Sequence, residues 1–133
     1  MGVSLIIKSN PGIIQISDYE SSLINEEGWI NCILNLKVDC FEVSLSTQFW
    51  KPDLEAFQKS IDDFIKDDKL KICFNVIEDF ISLEGKTQYN GTVLWKGEIH
   101  SINDSSNYLC FNLETDKSVV NDLSVALSYL LRN

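Results

Sequence analysis

The stretch that decides the fold runs from Trp29 to Leu45 and reads WINCILNLKVDCFEVSL. In its first part, apolar residues stand at every second position, from Ile30 through Leu34 to Val38, and most of the residues between them are polar. Successive side chains of a strand point to opposite faces, so a period of two residues predicts a strand with one apolar face.

The alternation shifts by one residue in the middle of this stretch. After Cys40 the apolar positions are Phe41, Val43 and Leu45, which are odd-numbered, whereas the earlier ones are even-numbered. A shift of one residue within a single strand would turn the whole apolar set to the opposite face. We therefore predict a tight turn or bulge between residues 37 and 40, and we favour a hairpin of two strands.

The residues before Trp29 predict two shorter strands, at Val3–Ser9 and Ile13–Ser17, separated by a turn at Asn10–Gly12. The polar, acidic stretch Asp18–Gly28 is typical of a loop.

A helix is predicted directly after the hairpin. Pro52 suits the first helical position, and the carboxylate of Asp53 complements the positive end of the helix dipole. Apolar residues then recur at spacings of three and four, which predicts one buried stripe ending near Asp67. The stripe consists of Leu54, Phe57, Ile61 and Phe64.

The second half of the chain repeats the same order, with several strands followed by a helix. We expect strands at Leu70–Val76, Phe80–Leu83, Thr92–Ile102 and Tyr108–Leu113, with turns at Glu84–Lys86 and Asn103–Asn107. The last helix carries an apolar stripe of Val119, Leu123, Ala126, Leu127, Leu130 and Leu131, with Asp116 or Ser118 as its N-terminal cap. The similar starts of the two stripes, Asp53-Leu54 and Asp122-Leu123, leave a duplication open.

These elements predict a single α+β domain over residues 1–133, with the order strands, helix, strands, helix. Clean alternation and short connections favour one antiparallel sheet of about 6–8 strands, with both helices packed on one face. The opposite face would be exposed and polar. It would hold Asn31, Asn35, Glu42, Ser44, Lys71, Cys73, Lys96, Glu98, His100, Cys110 and Asn112.

The charge of the chain restricts the classes of partner. A formal net charge of −9 disfavours nucleic acid and anionic membrane surfaces, and it favours a basic partner. Acidity that serves solubility alone is the alternative. The chain has no apolar stretch long enough to span a bilayer and no basic leader of a signal peptide, which favours a cytoplasmic location.

The sequence offers little support for catalysis, a metal or a cofactor. His100 is the single histidine, and the four cysteines form no C-x-x-C pair. Glycine-rich phosphate-binding motifs are missing. We therefore predict a protein that is not an enzyme, without metal or cofactor, whose cysteines are reduced and mostly packing residues.

Carboxylates cluster where the first helix ends, although negative charge is unfavourable at a helix C-terminus. Such an unfavourable placement of charge can mark a functional surface. Alternatively, the carboxylates belong to a solvated helix end, where Lys66 and Lys69 reduce the repulsion. Trp50 is the tryptophan that we expect to be exposed, and aromatic residues are enriched at binding hot spots. The candidate partner-binding residues are Asp62, Asp63, Asp67, Asp68, Glu78 and Trp50.

From Trp29 onward the chain resembles a bacterial family, the WapI-type immunity proteins of contact-dependent and polymorphic toxin systems. The matching positions are Trp29-Ile30, Phe41, Asp53-Leu54, Phe57, Phe74, Ile77-Glu78, Gly91, Gly97, Leu109-Cys110-Phe111 and Asp116. The resemblance implies a non-enzymatic, cytoplasmic antidote that binds and neutralises a cognate toxin domain, often a basic nuclease. It carries over no set of binding residues.

Two alternatives from other classes stay open. The chain could be a structural or assembly module, with a homodimer formed through its exposed sheet face. It could also be a small-molecule-binding domain or enzyme with carboxylate chemistry, which would require a deep pocket holding paired acids of raised pKa.

Overall fold

The computed structural model of the chain describes residues 4–9, 12–18, 26–104 and 106–132. Its elements are β1 (Ser4–Lys8), β2 (Gly12–Asp18), β3 (Trp29–Val38), β4 (Phe41–Trp50), α1 (Lys51–Lys66), β5 (Ile72–Asn75), β6 (Ile81–Thr87), β7 (Val93–His100), β8 (Tyr108–Thr115) and α2 (Ser118–Leu131). The turn predicted at residues 10–12 and most of the loop predicted at residues 18–28 lie outside the described residues.

The predicted α+β class and the order strands, helix, strands, helix are confirmed. The eight strands of the described residues form two four-stranded antiparallel sheets, in the orders β1-β2-β3-β4 and β5-β6-β7-β8, and each sheet is followed by one helix. The division into two sheets is not visible in the sequence, because alternation shows which face of a strand is buried but not which sheet the strand joins.

The hairpin predicted from the phase shift joins β3 to β4. Val38 pairs with Phe41, which leaves a loop of two residues, Asp39 and Cys40. Asp39 has a φ of +54°, in the left-handed region that a short aspartate side chain tolerates and that two-residue hairpin loops require.

The stripe predicted for α1 is confirmed, because all four of its residues are buried. In α2 the buried residues are Val120, Leu123, Leu127 and Leu130, while Val119, Ala126 and Leu131 are partly buried against the same core. The prediction of Val119 in place of Val120 was therefore wrong by one position. No helix in the described part of the chain is long and apolar enough to cross a membrane.

Helix α1 joins the two sheets. It packs against α2 and against β5, the first edge strand of the second sheet, while α2 packs against β1. The Ser60 hydroxyl of α1 accepts a hydrogen bond from the Cys73 backbone N–H at 2.8 Å and donates to the Lys71 carbonyl at 3.3 Å. The helix therefore covers backbone groups that an edge strand would otherwise expose.

A cluster of four phenylalanines lies where the first sheet, α1 and β5 meet. The rings of Phe57 and Phe74 are 4.4 Å apart between centroids, and Phe49 lies 5.8 Å from Phe74 and 5.4 Å from Phe80. All four side chains are buried, so the cluster belongs to one core that includes both sheets and both helices.

The turn predicted at Glu84–Lys86 was wrong, because β6 runs without interruption through these residues and the chain reverses after Thr87. Gly85 serves packing. It pairs with Trp95 on β7, and a Cβ atom at this position would meet the indole ring at 3.0 Å. Gly85 is therefore required by the large neighbouring indole ring and does not mark a turn.

Two further expectations are corrected. Neither Asp116 nor Ser118 caps α2, whose N-cap residue is Lys117, without a side-chain hydrogen bond. Only Cys32 is a buried cysteine, and all four are free thiols, with Cys40, Cys73 and Cys110 exposed. These three lie in the hairpin loop or on outward positions of strands, where alternation places polar residues.

A buried hydrogen bond joins Trp95 to the end of β8. The Trp95 side chain is fully buried, and its Nε1 donates to the hydroxyl of Thr115 at 2.9 Å. The Thr115 hydroxyl donates in turn to the carbonyl of Asp116 at 3.0 Å. Every polar group in this chain of contacts has a partner, as buried polar groups require.

We predict that Thr115→Val destabilises the protein by about 1–3 kcal/mol, because it leaves the buried indole N–H without an acceptor. Thr47→Val, at a half-buried position of β4, is the matched control and should change the free energy of unfolding by less than about 0.5 kcal/mol. Urea unfolding of both variants measures the difference. Equal stabilities would show that the Trp95 hydrogen bond contributes nothing.

Candidate functional site

The structure places the six predicted binding residues at opposite ends of α1. The four aspartates lie at its C-terminal end, whereas Trp50 immediately precedes its first residue. The turn that holds Glu78 also lies at the N-terminal end, because the Ile77 backbone N–H donates to the Asp53 carboxylate at 2.9 Å. The two ends are about 20 Å apart at 1.5 Å per helical residue, so the six residues do not form one surface.

Asp62 and Asp63 are engaged within the chain. The Asp62 carboxylate accepts a hydrogen bond from the Ser124 hydroxyl of α2 at 3.0 Å. Asp63 forms an ion pair with Lys59 one turn earlier, with a nitrogen–oxygen distance of 2.8 Å. The hydrogen bond that the Lys59 ammonium group donates to Asp63, together with the negative charge of Asp63, raises the pKa of Lys59.

Asp67 and Asp68 border a shallow depression of about 400 Å³ between the end of α1 and the start of α2. The Asp67 carboxylate accepts the backbone N–H of Lys69 at 3.1 Å, while Asp68 forms an ion pair with Lys117. The hydrogen bond from Lys117, followed by its positive charge, lowers the pKa of Asp68. Lys66 also lines this depression. The four aspartates at this end of the helix are therefore accompanied by four lysines, Lys59, Lys66, Lys69 and Lys117.

At the N-terminal end of α1 the indole rings of Trp29 and Trp50 stack, with centroids 6.1 Å apart and planes inclined by 26°. The Trp50 Nε1 donates to the Glu27 carbonyl at 3.3 Å, and the Lys51 backbone N–H donates to the Gly28 carbonyl at 2.6 Å. One of the free N–H groups of the first helical turn is thereby satisfied. Gly28 has a φ of +89°, which an L-residue rarely adopts.

The turn after β5 also lies at the N-terminal end of α1. It is closed by a hydrogen bond of 3.0 Å from the Asp79 N–H to the Val76 carbonyl, and Asp79 has a φ of +56°. The contact between Ile77 and Asp53 attaches the turn to α1. Ile77 is 60% exposed, and Glu78 is exposed beside it.

The two ends of α1 therefore differ in charge balance. The carboxylates at the N-terminal end belong to Glu26, Glu27, Asp53, Glu78 and Asp79, and the lysine that starts the helix there is Lys51. None of the ion pairs found in the described ranges includes Glu26, Glu78 or Asp79. Sequence reasoning selected Trp50 and Glu78 from this region but missed their neighbours.

The polar sheet positions predicted from alternation are indeed exposed or half-buried, but they are divided between two sheets. On the second sheet they line a shallow concavity of about 380 Å³. At its margin the His100 ring nitrogen lies 3.0 Å from a Glu98 carboxylate oxygen, and the His100 ring stacks on Tyr108 at 4.9 Å. Lys71 forms an ion pair with Glu84 at 3.5 Å, so this face contains charges of both signs.

Over residues 4–9, 12–18, 26–104 and 106–132, no group of three or more histidine, cysteine, aspartate or glutamate side chains is arranged to hold a metal ion.

No protein-family model matches this chain. No curated protein sequence matches it either. Among solved structures, the chain is similar to one described as "Structure of a guideRNA-binding protein complex bound to a gRNA", with a TM-score of 0.55 and 7% sequence identity. The match covers 98% of this chain and 89% of that chain, so the likeness extends over the whole arrangement of strands and helices. At this identity it shows a shared fold.

We predict that Lys117→Met raises the pKa of Asp68, because the substitution removes both the hydrogen bond and the positive charge that lower it. In the native protein this carboxylate contributes stability above its unfolded pKa, and the contribution is lost as the pH falls through its lowered folded pKa. Side-chain carboxyl chemical shifts, followed by NMR as a function of pH, measure the change. An unchanged Asp68 pKa in the variant would contradict the ion pair.

Proposed function

We propose that this chain is a non-enzymatic binding protein that captures a basic protein domain and blocks its activity, as the WapI-type immunity proteins it resembles do with toxins. In this proposal it acts in the cytoplasm and protects the cell against a cognate toxin domain of nuclease type.

The observation that carries the proposal is the excess of exposed carboxylate at the N-terminal end of α1. The net charge of −9 is not spread evenly, because lysines offset the aspartates at the C-terminal end of the same helix. Nuclease domains carry basic surfaces that contact phosphates, and such a surface complements an acidic one. Opposite charges would also speed the encounter of the two proteins.

The structural neighbour is described as binding a guide RNA, but the charges of this chain argue against the same ligand. Phosphate contacts require lysine and arginine in excess along the binding surface. On the exposed face of the second sheet, positively and negatively charged side chains instead lie beside one another. It carries Lys71, Lys86 and Lys96 beside Glu84, Glu98 and Glu114.

We predict that the purified chain captures the toxin domain encoded beside its own gene and inhibits it at equimolar concentration. The affinity should fall as the salt concentration rises, because exposed charges are screened beyond about 10 Å at 0.1 M salt. Isothermal titration calorimetry and a nuclease assay measure binding and inhibition. A single-stranded RNA oligonucleotide is the comparison ligand, and tight binding of the RNA without capture of the toxin domain would overturn the proposal.

A second candidate function, assembly into a homodimer, is favoured by the exposed edge of β4. In the described part of the chain this strand of ten residues hydrogen-bonds to β3 alone. Phe41 on it is 53% exposed, and Val43 and Leu45 are partly buried. A long, apolar edge strand is a template for pairing with another chain.

For this candidate we predict a dimer of constant size between micromolar and millimolar protein concentration in sedimentation velocity. Val43→Lys would place a charge on the edge strand and convert the dimer into a monomer. A monomer at every concentration would exclude the assembly function.

A further inference from the structure

The tip of the hairpin between β6 and β7 presents an asparagine followed by a glycine to solvent. Tyr89, Asn90 and Gly91 are all exposed. The Gln88 N–H donates to the Thr92 carbonyl at 2.8 Å, and the Gly91 N–H donates to the Gln88 carbonyl at 3.0 Å. Gly91 has a φ of +89°, as the last residue of a three-residue hairpin loop requires, so the fold itself demands a glycine after Asn90.

We propose that this hairpin tip is a self-modification site, at which the Asn90 side chain cyclises with the backbone nitrogen of Gly91 and hydrolyses to aspartate and isoaspartate. The inference is independent of the proposed function, because the reaction uses only atoms of the loop and water. Its consequence is a slow change in the surface charge of the chain, since a neutral amide becomes a carboxylate.

The reaction balances with water as the added reactant. The Gly91 nitrogen gives its proton to hydroxide and attacks Cγ of Asn90, which forms a carbon–nitrogen bond. The Asn90 Nδ2 takes a proton from water and leaves as ammonia, so a cyclic succinimide remains. Water then opens the ring at Cγ to give aspartate, or at the backbone carbonyl carbon of Asn90 to give isoaspartate.

The attacking nitrogen is unhindered by side chains. A Cβ atom built at Gly91 would meet nothing within 4 Å, so water and hydroxide have open access to this amide. The hydrogen bond from the Gly91 N–H to Gln88 has to open before the attack. Because this bond lies at an exposed loop tip, beside the fully exposed Tyr89, its local opening costs little free energy.

The side-chain carbonyl of Asn90 lies against hydrogen-bond donors of Thr92. The Thr92 backbone N–H donates to the Asn90 Oδ1 at 3.2 Å. The Thr92 hydroxyl lies 2.8 Å from the same oxygen and 2.6 Å from a Glu114 carboxylate oxygen, and these two acceptors share its single hydrogen. Negative charge develops on Oδ1 when Cγ is attacked, and a nearby N–H donor stabilises it.

The other described asparagines do not combine these features. Asn103 is exposed in a turn, but Asp104 follows it, and the side chain of Asp104 hinders the nitrogen that would attack. Five more lie within regular elements, whose hydrogen bonds fix the backbone: Asn31, Asn35, Asn75, Asn112 and Asn121. Asn103 is therefore the internal reference for the reaction at Asn90.

The experiment incubates the full chain in buffer and follows each asparagine by mass spectrometry of its peptides, with fragmentation that separates isoaspartate from aspartate. We expect conversion at Asn90 at least about tenfold faster than at Asn103, with isoaspartate among the products. The rate should rise with pH, because the attacking nitrogen must lose its proton. No conversion at Asn90, equal rates at the two asparagines, or aspartate as the sole product would overturn the inference.

The same measurement on the chain unfolded in urea tests whether the folded loop is open enough to react. The rate at Asn90 in the folded protein should lie within about tenfold of the rate in the unfolded chain, because the exposed tip opens at little cost. A larger difference would show that the hydrogen bond between Gly91 and Gln88 protects the site, and the inference would fail.

The variant Gly91→Asp places a side chain beside the attacking nitrogen, and aspartate tolerates a positive φ. Conversion at Asn90 should slow by about tenfold or more. The control Tyr89→Asp adds the same charge on the other side of Asn90 and should slow it by less than about threefold. Equal rates in the two variants would exclude attack by the Gly91 nitrogen, and thermal unfolding checks that both proteins are folded.

Discussion

The structure depends on the packing of four buried phenylalanines where the first sheet, the first helix and the second sheet meet. Phe49 is the next-to-last residue of β4, Phe57 belongs to α1, and Phe74 and Phe80 lie on either side of the turn after β5. Because each ring comes from a different segment, the cluster fixes how the segments lie relative to one another. Loss of one large buried aromatic side chain costs about 3–5 kcal/mol in typical cores, a large fraction of the stability of a small domain.

The same cluster explains why the acidic turn after β5 lies at the N-terminal end of α1. Trp50 follows Phe49 directly and points to the opposite side of the strand, while Ile77 and Glu78 precede Phe80 by a few residues. Packing of Phe49 against Phe80 therefore places this turn on the inner side of β4, whereas the Trp50 ring lies on the outer side. Core packing thus brings the acidic turn to the same end of α1 as Trp50, although 27 positions separate Trp50 from Ile77 in the chain.

The order of elements, the hairpin and the buried stripe of α1 could be read from the sequence, because each rests on periodicity within a short segment. The division of the strands into two sheets could not, because it depends on contacts between distant segments. The turn predicted around Gly85 was wrong for the same reason, because the indole ring that requires a glycine there belongs to Trp95 on β7. One signal was available and unused: a two-residue loop that pairs Val38 with Phe41 also places Trp29 opposite Trp50.

Four of the predicted binding residues were chosen because carboxylates are close together in that part of the sequence. The sequence does not show how many lysines from other segments lie next to them in the folded protein. Lys117 is far from Asp68 in the sequence but forms an ion pair with it in the structure. The excess negative charge therefore lies at the other end of the helix. Hydrogen exchange of the chain, free and bound to its basic partner, tests this account most directly. We predict new protection at residues 26–29, 50–53 and 76–80, where carboxylates are in excess, and protection confined to residues 62–69 and 117–121 would contradict this placement of the charge.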